Sequence, residues 1–409
     1  MTYFSKHLLP LALVAWLIQT HATTTSERLD SFLRSRVEAG DVPGVVAMVV
    51  DRHATVYTGA FGKADVAGNR PMTADALFRI ASMTKPVTSL AAMMLVEQKQ
   101  IRIDDPIATF LPEFANVRVL TSFHEADSTY DGRPPRRPIT IRDLLTHTSG
   151  IAYGFVDQRI SKLDTAWLGQ KKMFELPLVS DPGERFVYGP STAVLGEIVA
   201  KVSGMPLDVF FQTRIFEPLA MHDTSFSVPD DKRDRAVTVH ARNADGTLKE
   251  NPNPASFKAA PARGDGGLFS TAPDYARFMQ LFLNRGRVGS TRLVSEHTID
   301  VMTSNQLGSI KVTEQPAADP TLARPFPIGA GKDTFGFGFQ IEARPAAAGL
   351  RSIGSLSWGG IFNTHFWIDP HKGIAAVVLM QLLPYYDPRA LEVLRGFERE
   401  VYGAIPQGR

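Results

Sequence analysis

Ser82 and Lys85, in the segment Ser82-Met83-Thr84-Lys85, are the residues whose types and spacing most directly suggest chemistry. A serine hydroxyl becomes an effective nucleophile when a neighbouring base takes its proton. Side chains three residues apart on a helix share one face, with Cβ atoms about 5–6 Å apart, so the Lys85 amine can reach the Ser82 hydroxyl. Lysine acts as a base only when neutral, and burial favours its neutral form. The pair therefore indicates nucleophilic catalysis by Ser82, with Lys85 as the proton acceptor.

The residues that follow Lys85 supply the buried surroundings that this chemistry needs. The run from Ser82 to Gln98 predicts a helix, and its centre, from Leu90 to Leu95, is apolar on every side, which is typical of a buried helix. At the start of such a helix, backbone N–H groups and the helix dipole stabilise negative charge on a reacting oxygen. A Ser-x-x-Lys match is expected about once by chance in a chain of this length, so its position before an apolar helix is what favours catalysis.

Two other features of the sequence resemble catalytic motifs less well. The segment 189–193 approaches the Gly-x-Ser-x-Gly elbow of hydrolases, but it lacks the last glycine and no strand is predicted before it. We therefore expect Ser191 to be structural, and His147 to be a hydrogen-bonded structural histidine. The ten histidines show no metal-ligand spacing and the glycine clusters show no phosphate-binding or dinucleotide pattern, so neither a metal nor a cofactor is expected.

Composition excludes several other classes of protein. The 409 residues include 44 Lys plus Arg and 42 Asp plus Glu, and a net charge of +2 provides no basic surface for nucleic acid. The absence of cysteine excludes a disulfide scaffold, a thiolate zinc site, an iron–sulfur cluster and a cysteine nucleophile. The length is enough for about two or three domain-sized units.

Residues 1–22 resemble a secretory signal peptide. Lys6 precedes an apolar run from Leu8 to Ile18, which is too short to cross a bilayer because a spanning helix needs about 20 residues. A small-residue exit follows at Thr20-His21-Ala22. We therefore predict export to the periplasm or the medium, with no membrane insertion after the leader is removed. The alternatives are a cytoplasmic protein or one anchored by an uncleaved leader.

The pattern of the remaining chain predicts an α/β (α+β) protein with one antiparallel sheet flanked by helices. Strands are expected over residues 44–50, 54–59, 335–341, 352–358, 363–369 and 373–381, and helices over 26–38, 82–98 and 388–402. Strand signals fade between about residues 104 and 264, which predicts an inserted, mostly helical domain. The expected α/β sandwich domain is thus 23–103 plus 265–409, the insert is 104–264, and the active site lies at their interface.

Two segments are expected to be loops. The acid–base run 230–235 is interpreted as a solvated loop. The Pro/Ala-rich segment 315–327 is interpreted as a surface loop that could also rim a cleft.

Seven motifs occur in the order known from one superfamily of proteins. They are Phe78-Arg79-Ile80-Ala81-Ser82-Met83-Thr84-Lys85, Ile103-Asp104-Asp105-Pro106, the run from Ile139 to Gly150, Pro182-Gly183-Glu184-Arg185-Phe186-Val187-Tyr188, Gly266-Gly267-Leu268-Phe269-Ser270-Thr271, Gly336-Phe337-Gly338-Phe339 and Trp358-Gly359-Gly360. On these motifs the chain resembles the serine β-lactamase and penicillin-binding-protein-like superfamily. The resembling branch contains class C β-lactamases, family VIII carboxylesterases, D-aminopeptidases and lovastatin-type acyltransferases. The resemblance implies a β-lactamase/transpeptidase-like fold for nearly the whole chain.

The resemblance also implies roles for individual residues. Ser82 would be the nucleophile, Lys85 its proton partner, and Tyr188 the second base or the relay that returns a proton to the leaving group. The oxyanion hole would be formed by the backbone N–H groups of Ser82 and Ile361. Tyr153 matches an aromatic residue that family VIII esterases place at the cleft, and core packing is an equal interpretation.

Two departures from the β-lactamase pattern favour an esterase. Trp358-Gly359-Gly360 stands where β-lactamases and transpeptidases of this group carry Lys-Thr-Gly, so the cation that faces a substrate carboxylate is absent. Tyr188-Gly189-Pro190 stands where they carry Tyr-x-Asn. Both features are similar to family VIII carboxylesterases. Trp358, Gly359 and Gly360 are therefore expected to contact substrate, with the indole as an apolar wall.

These observations lead to one hypothesis and several rivals. The hypothesis is a cofactor-free serine hydrolase that cleaves small-molecule esters of short to medium acyl chains through an acyl-enzyme on Ser82, with weak hydrolysis of β-lactams. A class C-like β-lactamase or a D-amino-acid amidase is disfavoured by the missing lysine and asparagine. An acyltransferase would use the same residues. A non-catalytic cell-wall-binding relative is disfavoured because Ser82, Lys85 and Tyr188 are all present.

Overall fold

The computed structural model describes residues 25–164, 173–251, 261–344 and 350–404. The expected leader, residues 1–22, lies outside these ranges. Within them, no helix is both long enough and apolar enough to span a membrane.

Helices and short strands alternate along the described chain. The helices are α1 (25–38), α2 (Thr84–Glu97), α3 (Ile141–Leu145), α4 (Gln158–Leu163), α5 (Ser191–Ser203), α6 (Leu207–Phe211), α7 (Ala272–Leu283), α8 (Glu296–Thr303) and α9 (Pro388–Ala404). The strands are β1 (Gly44–Asp51), β2 (Thr55–Asp65), β3 (Arg70–Pro71), β4 (Phe78–Arg79), β5 (Val119–His124), β6 (Thr129–Arg133), β7 (His240–Arg242), β8 (Leu248–Glu250), β9 (Phe269–Ser270), β10 (Arg287–Val288), β11 (Thr291–Arg292), β12 (Thr334–Phe335), β13 (Gln340–Ile341), β14 (Leu356–Gly360), β15 (Thr364–Asp369), β16 (Ile374–Leu379) and β17 (Leu382–Leu383).

One eight-stranded sheet is built from both ends of the chain. Its strand order is β12-β13-β14-β15-β16-β1-β2-β3, and neighbouring strands are antiparallel. β1 pairs with β16, with Val46 opposite Leu379 and Asp51 opposite Ile374. The N-terminal strands thus complete a C-terminal meander, which confirms the predicted antiparallel sheet. The domain boundaries at residues 103 and 264 stay a prediction.

Helices cover both faces of the sheet. Because successive strand residues point to opposite faces, Val45 and Val49 pack with residues of α1 and α9 such as Leu33 and Phe397. Val46, on the other face, belongs to the core that contains α2 and α7. A strand buried on both faces has no polar side, which explains the continuous apolar run in β1.

Three of the expected strands have clearly different bounds. The strand expected over 54–59 begins at Thr55 and extends to Asp65. The strand expected over 335–341 is two short strands, β12 and β13, because the chain reverses between them. The Gly336 N–H donates to the Phe339 carbonyl at 2.8 Å, and Gly338 has φ +97°, which favours glycine. The strand expected over 352–358 starts at Leu356 and extends to Gly360.

The region between residues 104 and 264 is less helical than expected. It contains two antiparallel hairpins, β5–β6 and β7–β8. Most side chains of β5 and β6 are exposed or half-buried on both faces, so the apolar alternation that predicts a strand is absent. The segment 230–235 is a 3₁₀ helix rather than a free loop, and Lys232 and Arg235 bind the Asp223 carboxylate at 2.7 and 2.8 Å.

We predict that Val393→Ala in α9 lowers the free energy of unfolding by about 2 kcal/mol, because it removes buried methyl groups and leaves a cavity. Val393 is 0% exposed and packs under the sheet. The measurement is chemical denaturation followed by circular dichroism. The matched control is Val209→Ala in α6, where the valine is 41% exposed and the change should be close to zero. Equal changes at both sites would contradict the packing described for α9.

Candidate active site

Ser82 lies in a single 3₁₀ turn, Ala81–Met83, directly before α2. The sequence placed Ser82 at the head of the helix, whereas the α-helix begins two residues later. Ala81 has φ +44°, a conformation that is costly for a residue with a Cβ atom. The turn is held because the Ile80 N–H donates to the Leu268 carbonyl at 3.0 Å and the Met83 N–H donates to the Ile80 carbonyl at 3.0 Å. Ser82 is therefore presented on a strained turn that its neighbours fix.

Lys85 is 2% exposed and contacts three oxygen atoms. Its Nζ donates to Ser82 Oγ at 3.0 Å, to Tyr153 Oη at 3.1 Å and to the Asp265 carbonyl at 2.8 Å. Three acceptors match the three N–H bonds of an ammonium group. When Lys85 is neutral, the lone pair that replaces one N–H can face the Ser82 hydroxyl. The side chain can thus accept the Ser82 proton without changing position.

Tyr188 approaches Ser82 from the other side. Its hydroxyl donates to Ser82 Oγ at 2.7 Å. The Tyr188 backbone N–H donates to the Gln315 side chain at 2.9 Å, and the Val187 N–H donates to the His147 carbonyl at 2.7 Å. These two hydrogen bonds fix the backbone of residues 187 and 188. The structure thus places Lys85 and Tyr188 within hydrogen-bonding distance of Ser82 Oγ. Their catalytic roles stay predictions.

The motif from Ile139 to Gly150 builds the frame that supports Tyr188. Thr140 and Asp143 form a reciprocal capping box at the start of α3. Arg137 binds both oxygens of the Asp143 carboxylate, at 2.6 and 2.8 Å, and the Thr148 hydroxyl donates to the same carboxylate at 3.0 Å. This network fixes the chain just before and after His147, whose carbonyl holds the Tyr188 segment.

His147 is a packing residue beside the site. Its ring lies 5.1 Å from the Tyr188 ring and 5.8 Å from the Phe186 ring. Burial, together with the positive charge of Lys85, lowers the pKa of His147 to about 3, so the imidazole is neutral. The expected side-chain hydrogen bond is not formed at Nδ1, which has no partner among the described residues.

The cleft at Ser82 is small and mostly apolar. It has about 20 Å³ of free space. It is lined by Ser82, Phe155, Tyr188, Phe326, Trp358, Gly359, Ile361 and Tyr385. Trp358 is 7% exposed, and its ring lies 5.2 Å from the Tyr188 ring. Phe326 comes from the segment 315–327, so that segment does reach the cleft. Phe155, Phe326 and Tyr385 were not among the expected site residues, because aromatic residues are equally typical of a core.

Gly360 lets β14 approach the Ser82 turn closely. A Cβ atom on Gly360 would lie 2.2 Å from the Ile80 carbonyl oxygen and 2.4 Å from Thr364 Oγ1, distances that no side chain tolerates. Ile361, the next residue, lines the cleft together with Ser82. Within the described part of the chain, neither the Ser82 N–H nor the Ile361 N–H donates to a backbone carbonyl. The role of these two N–H groups as oxyanion-hole donors stays a prediction.

Asp265 and Arg263 extend the network behind Lys85. The Tyr153 hydroxyl donates to Asp265 Oδ2 at 2.6 Å, and Arg263 binds both carboxylate oxygens of Asp265 at 3.0 and 2.9 Å. Burial alone raises the pKa of Asp265, but the hydrogen bond from Arg263 and the charge of Lys85 outweigh it, and the pKa lies below its usual value. Burial and the Asp265 charge raise the pKa of Tyr153 well above its usual value. Tyr153 is therefore neutral. Its oxygen accepts a hydrogen bond from Lys85, and its O–H donates a hydrogen bond to Asp265.

The expected contact of Tyr153 with substrate stays a prediction. Phe155, and not Tyr153, is among the residues that line the cleft. The Tyr153 hydroxyl accepts a hydrogen bond from Lys85 and donates one to Asp265. Arg263 and Asp265 were not expected at the site from the sequence. The signal that could have found them is the pair of opposite charges, Arg263 and Asp265, just before the Gly266-Gly267 motif.

Ser191 and Pro190 lie at the start of α5. Ser191 is fully buried and its Oγ is 2.8 Å from Ser149 Oγ, which agrees with the structural interpretation. The Pro190 carbonyl accepts from the Ala193 N–H at 2.8 Å. Pro190 thus caps the start of α5, at the position where the β-lactamase pattern has asparagine.

Comparison with known proteins identifies the family. A model of the beta-lactamase family matches residues 29–396. The chain belongs to this family. A solved structure of simvastatin synthase (LovD) from Aspergillus terreus, in a mutant form, has a TM-score of 0.79 and 27% identity, with 98% of this chain and 99% of that chain covered. A class C beta-lactamase has a TM-score of 0.68 at 14% identity, which shows the shared fold alone. The expected superfamily and fold are confirmed.

Sequence relatives within this family include esterases and acyltransferases. "Protein Rv1367c" of Mycobacterium tuberculosis is 35% identical over 369 residues, covering 86% of this chain and 89% of the relative. "Monacolin J acid methylbutanoyltransferase" of Aspergillus terreus is 29% identical, covering 93% and 96%. "Esterase EstB" of Burkholderia gladioli is 28% identical, covering 88% and 91%. The chain is thus a member of a serine hydrolase family with esterase and acyltransferase relatives.

We predict that Asp265→Asn slows phosphonylation of Ser82 by a fluorophosphonate probe, which releases fluoride, about 10-fold, a loss of about 1.4 kcal/mol that is typical of one misdirected hydrogen bond. An asparagine amide can donate to the Tyr153 oxygen and so turn the Tyr153 proton towards Lys85. Tyr153→Phe should cause a similar loss, and the double variant should be no slower than either single variant, because both changes remove one interaction. Fully additive losses would contradict the coupling, and Tyr130→Phe is the control for a tyrosine outside the site.

Proposed function

We propose that this protein is a cofactor-free carboxylesterase that hydrolyses small esters of short to medium acyl chains through an acyl-enzyme on Ser82. The observation that carries the proposal is the position of Ser82 Oγ between Lys85 Nζ, at 3.0 Å, and Tyr188 Oη, at 2.7 Å. A serine placed between two proton-transferring groups on a strained turn has the arrangement of an activated nucleophile.

The geometry supports a two-step reaction. Ser82 Oγ attacks the ester carbonyl carbon, its proton passes to Lys85, and the carbonyl oxygen becomes an oxyanion that the Ser82 and Ile361 N–H groups stabilise. Collapse breaks the bond to the alcohol oxygen, which receives a proton through Tyr188. Water then attacks the acyl carbon and gives one proton to the same groups, the bond between the acyl carbon and Ser82 Oγ breaks, and Ser82 Oγ takes that proton back. The products are a carboxylic acid, an alcohol and free Ser82.

The lining of the cleft favours a neutral ester over a β-lactam. A β-lactam carries a carboxylate that needs a cation or a hydrogen-bond donor beside the nucleophile. Among the described residues that line the cleft, none is cationic, and Trp358 occupies the position where the β-lactamase pattern has lysine. The same lining favours a short acyl group, because Phe155, Phe326 and Tyr385 leave little free space next to Ser82.

Acyl transfer to an alcohol is the second candidate. The names of two kinds of relative support it, a methylbutanoyltransferase and an esterase, because both chemistries share the acyl-enzyme. Hydrolysis and transfer differ only in whether water or an alcohol attacks. Product analysis by mass spectrometry, with p-nitrophenyl butyrate and added primary alcohols, separates them: a dominant butyrate ester would favour the transferase.

We also propose that the protein is exported. The support is the sequence of residues 1–22 alone, with its basic start, short apolar core and small-residue exit. N-terminal sequencing of protein recovered from the periplasm and the medium tests this proposal. An intact Met1 on cytoplasmic protein would contradict it.

We expect rapid hydrolysis of p-nitrophenyl butyrate, little turnover of nitrocefin, and a loss of at least about 1,000-fold in ester hydrolysis in Ser82→Ala. The physical reason is that, among the residues that the structure describes, Ser82 has the one hydroxyl that hydrogen-bonds both Lys85 and Tyr188. Initial rates of both substrates are measured side by side. Ser191→Ala is the matched control, because this buried serine bonds Ser149 away from the cleft.

Two outcomes would contradict the assignment. Equal losses in the Ser82 and Ser191 variants would mean that the alanine substitutions act through folding. Nitrocefin turnover that exceeds ester hydrolysis would mean that another residue replaces the missing lysine, and the β-lactamase alternative would then lead.

We predict that Phe326→Ala raises the rate ratio of p-nitrophenyl octanoate to p-nitrophenyl butyrate at least about 10-fold, since each additional buried CH₂ contributes about 0.8 kcal/mol. Phe326 is 3% exposed and forms one wall of the cleft. The control is Phe282→Ala, an equally buried aromatic residue outside the cleft, which should lower stability and leave the ratio unchanged. An unchanged ratio in the Phe326 variant would show that this ring does not limit acyl length.

A further inference from the structure

A second cavity lies at the opposite end of the main sheet from Ser82. Ser82 lies near Gly360, which pairs with Thr364 at one end of the sheet, whereas Asp51 pairs with Ile374 at the other. At that far end, the turn between β1 and β2, one side of α7 and the β10–β11 hairpin enclose about 640 Å³. This volume lies within the range of about 300–1,000 Å³ that is typical of small-molecule sites. The cavity and the Ser82 cleft have no lining residue in common.

The polar part of the cavity wall is basic. Arg52, His53, Arg277 and Arg287 line it, and no carboxylate is among the lining residues. Two acidic residues, Asp51 and Asp274, are next to lining residues in the chain, and both carboxylates are occupied. Asp51 accepts the His53 and Ala54 backbone N–H groups at 2.7 Å, and Asp274 accepts the Asp223 N–H and the Thr224 hydroxyl at 2.7 and 2.8 Å. Any ligand of this wall therefore meets positive charge without a competing carboxylate.

Two of the arginines are free to bind a ligand. Within the described part of the chain, no hydrogen bond or ion pair involves the side chain of Arg277 or Arg287. Neighbouring Arg285, by contrast, binds Glu296 and Asp300 at 3.0 and 2.9 Å. A guanidinium group presents several N–H donors in a plane that matches carboxylate and phosphate oxygens.

Hydrogen bonds between elements hold the walls of the cavity in place. The Arg52 guanidinium donates to the Leu283 and Pro370 carbonyls, and the Asn284 amide donates to the Arg52 carbonyl at 2.7 Å. The Gln280 amide donates to the Asp51 carbonyl at 3.0 Å. These contacts join the β1–β2 turn to α7, so the cavity is preformed.

The floor of the cavity is apolar. Met48 and Val50 project from β1, Ala276 from α7, and Val288 from β10. A free guanidinium pair beside an apolar floor matches a molecule that has an anionic end and a hydrocarbon body.

We propose that this cavity is a binding site, separate from the catalytic cleft, for a small amphipathic anion with a carboxylate or phosphate end and an apolar chain. Arg277 and Arg287 bind the oxyanion, and Met48, Val50 and Val288 contact the chain. The site is a binding site only, because no group in its lining repeats the arrangement around Ser82.

The test is isothermal titration calorimetry on the full chain with Ser82 blocked by a fluorophosphonate, so that the catalytic cleft does not contribute. The probes are octanoate, octyl phosphate, inorganic phosphate and 1-octanol, all below micelle-forming concentrations. One of the two amphipathic anions, or both, should bind with 1:1 stoichiometry, and the tighter of them identifies the anionic group. The double variant Arg277→Gln/Arg287→Gln should bind at least about 10-fold more weakly.

The control carries the same change in charge elsewhere. Arg214→Gln/Arg389→Gln alters two arginines that do not line the cavity and should bind like the wild type. Equal affinity in the two double variants would overturn the site. Binding of inorganic phosphate as tight as that of octyl phosphate would overturn the role of the floor, and binding of 1-octanol as tight as that of octanoate would overturn the role of the arginines. No binding of either anion would overturn the proposal as a whole.

Discussion

The three hydrogen bonds of the Lys85 amine are the interaction on which the rest of the site depends. A buried cation without partners costs several kcal/mol, and Lys85 is stabilised only because Ser82 Oγ, Tyr153 Oη and the Asp265 carbonyl surround it. Ser82 is three residues from Lys85, whereas Tyr153 and Asp265 come from distant parts of the chain. The amine therefore has all three acceptors only when α2 and the segments around residues 153 and 265 are packed together.

The Asp265 carboxylate is connected to Lys85 through one hydroxyl group. The Tyr153 hydroxyl accepts a hydrogen bond from Lys85 and donates one to Asp265, so the carboxylate oxygens do not hydrogen-bond the amine directly. Arg263 binds both oxygens of the Asp265 carboxylate and neutralises part of its charge. The lysine and the carboxylate thus belong to one network without forming a direct ion pair.

Sequence reasoning predicted the elements whose apolar pattern reflects burial, and it missed features that depend on one backbone angle or on a contact between distant residues. The strand β1 and the helix α9 were predicted because residues buried in a core leave an apolar pattern in the sequence. The strand expected over 335–341 was wrong because a single positive φ at Gly338 reverses the chain. Ser82, Lys85 and Tyr188 were found from motifs, whereas Asp265 was missed because its partner Tyr153 is 112 residues away in sequence, and a spacing pattern carries no information on that distance.

The glycines of Trp358-Gly359-Gly360 show how one wall of the cleft and the backbone beside Ser82 are arranged together. Gly360 must lack a side chain for β14 to lie against the Ile80 carbonyl, and this approach places the end of β14, with Ile361 after it, beside the Ser82 turn. The constraint concerns the backbone, so it leaves the side chain at position 358 free to vary. The β-lactamase pattern has a lysine at this position, whereas the indole of this chain packs on the Tyr188 ring. A substitution at position 358 can therefore change the chemistry of the cleft wall while the approach of β14 to the Ser82 turn stays the same.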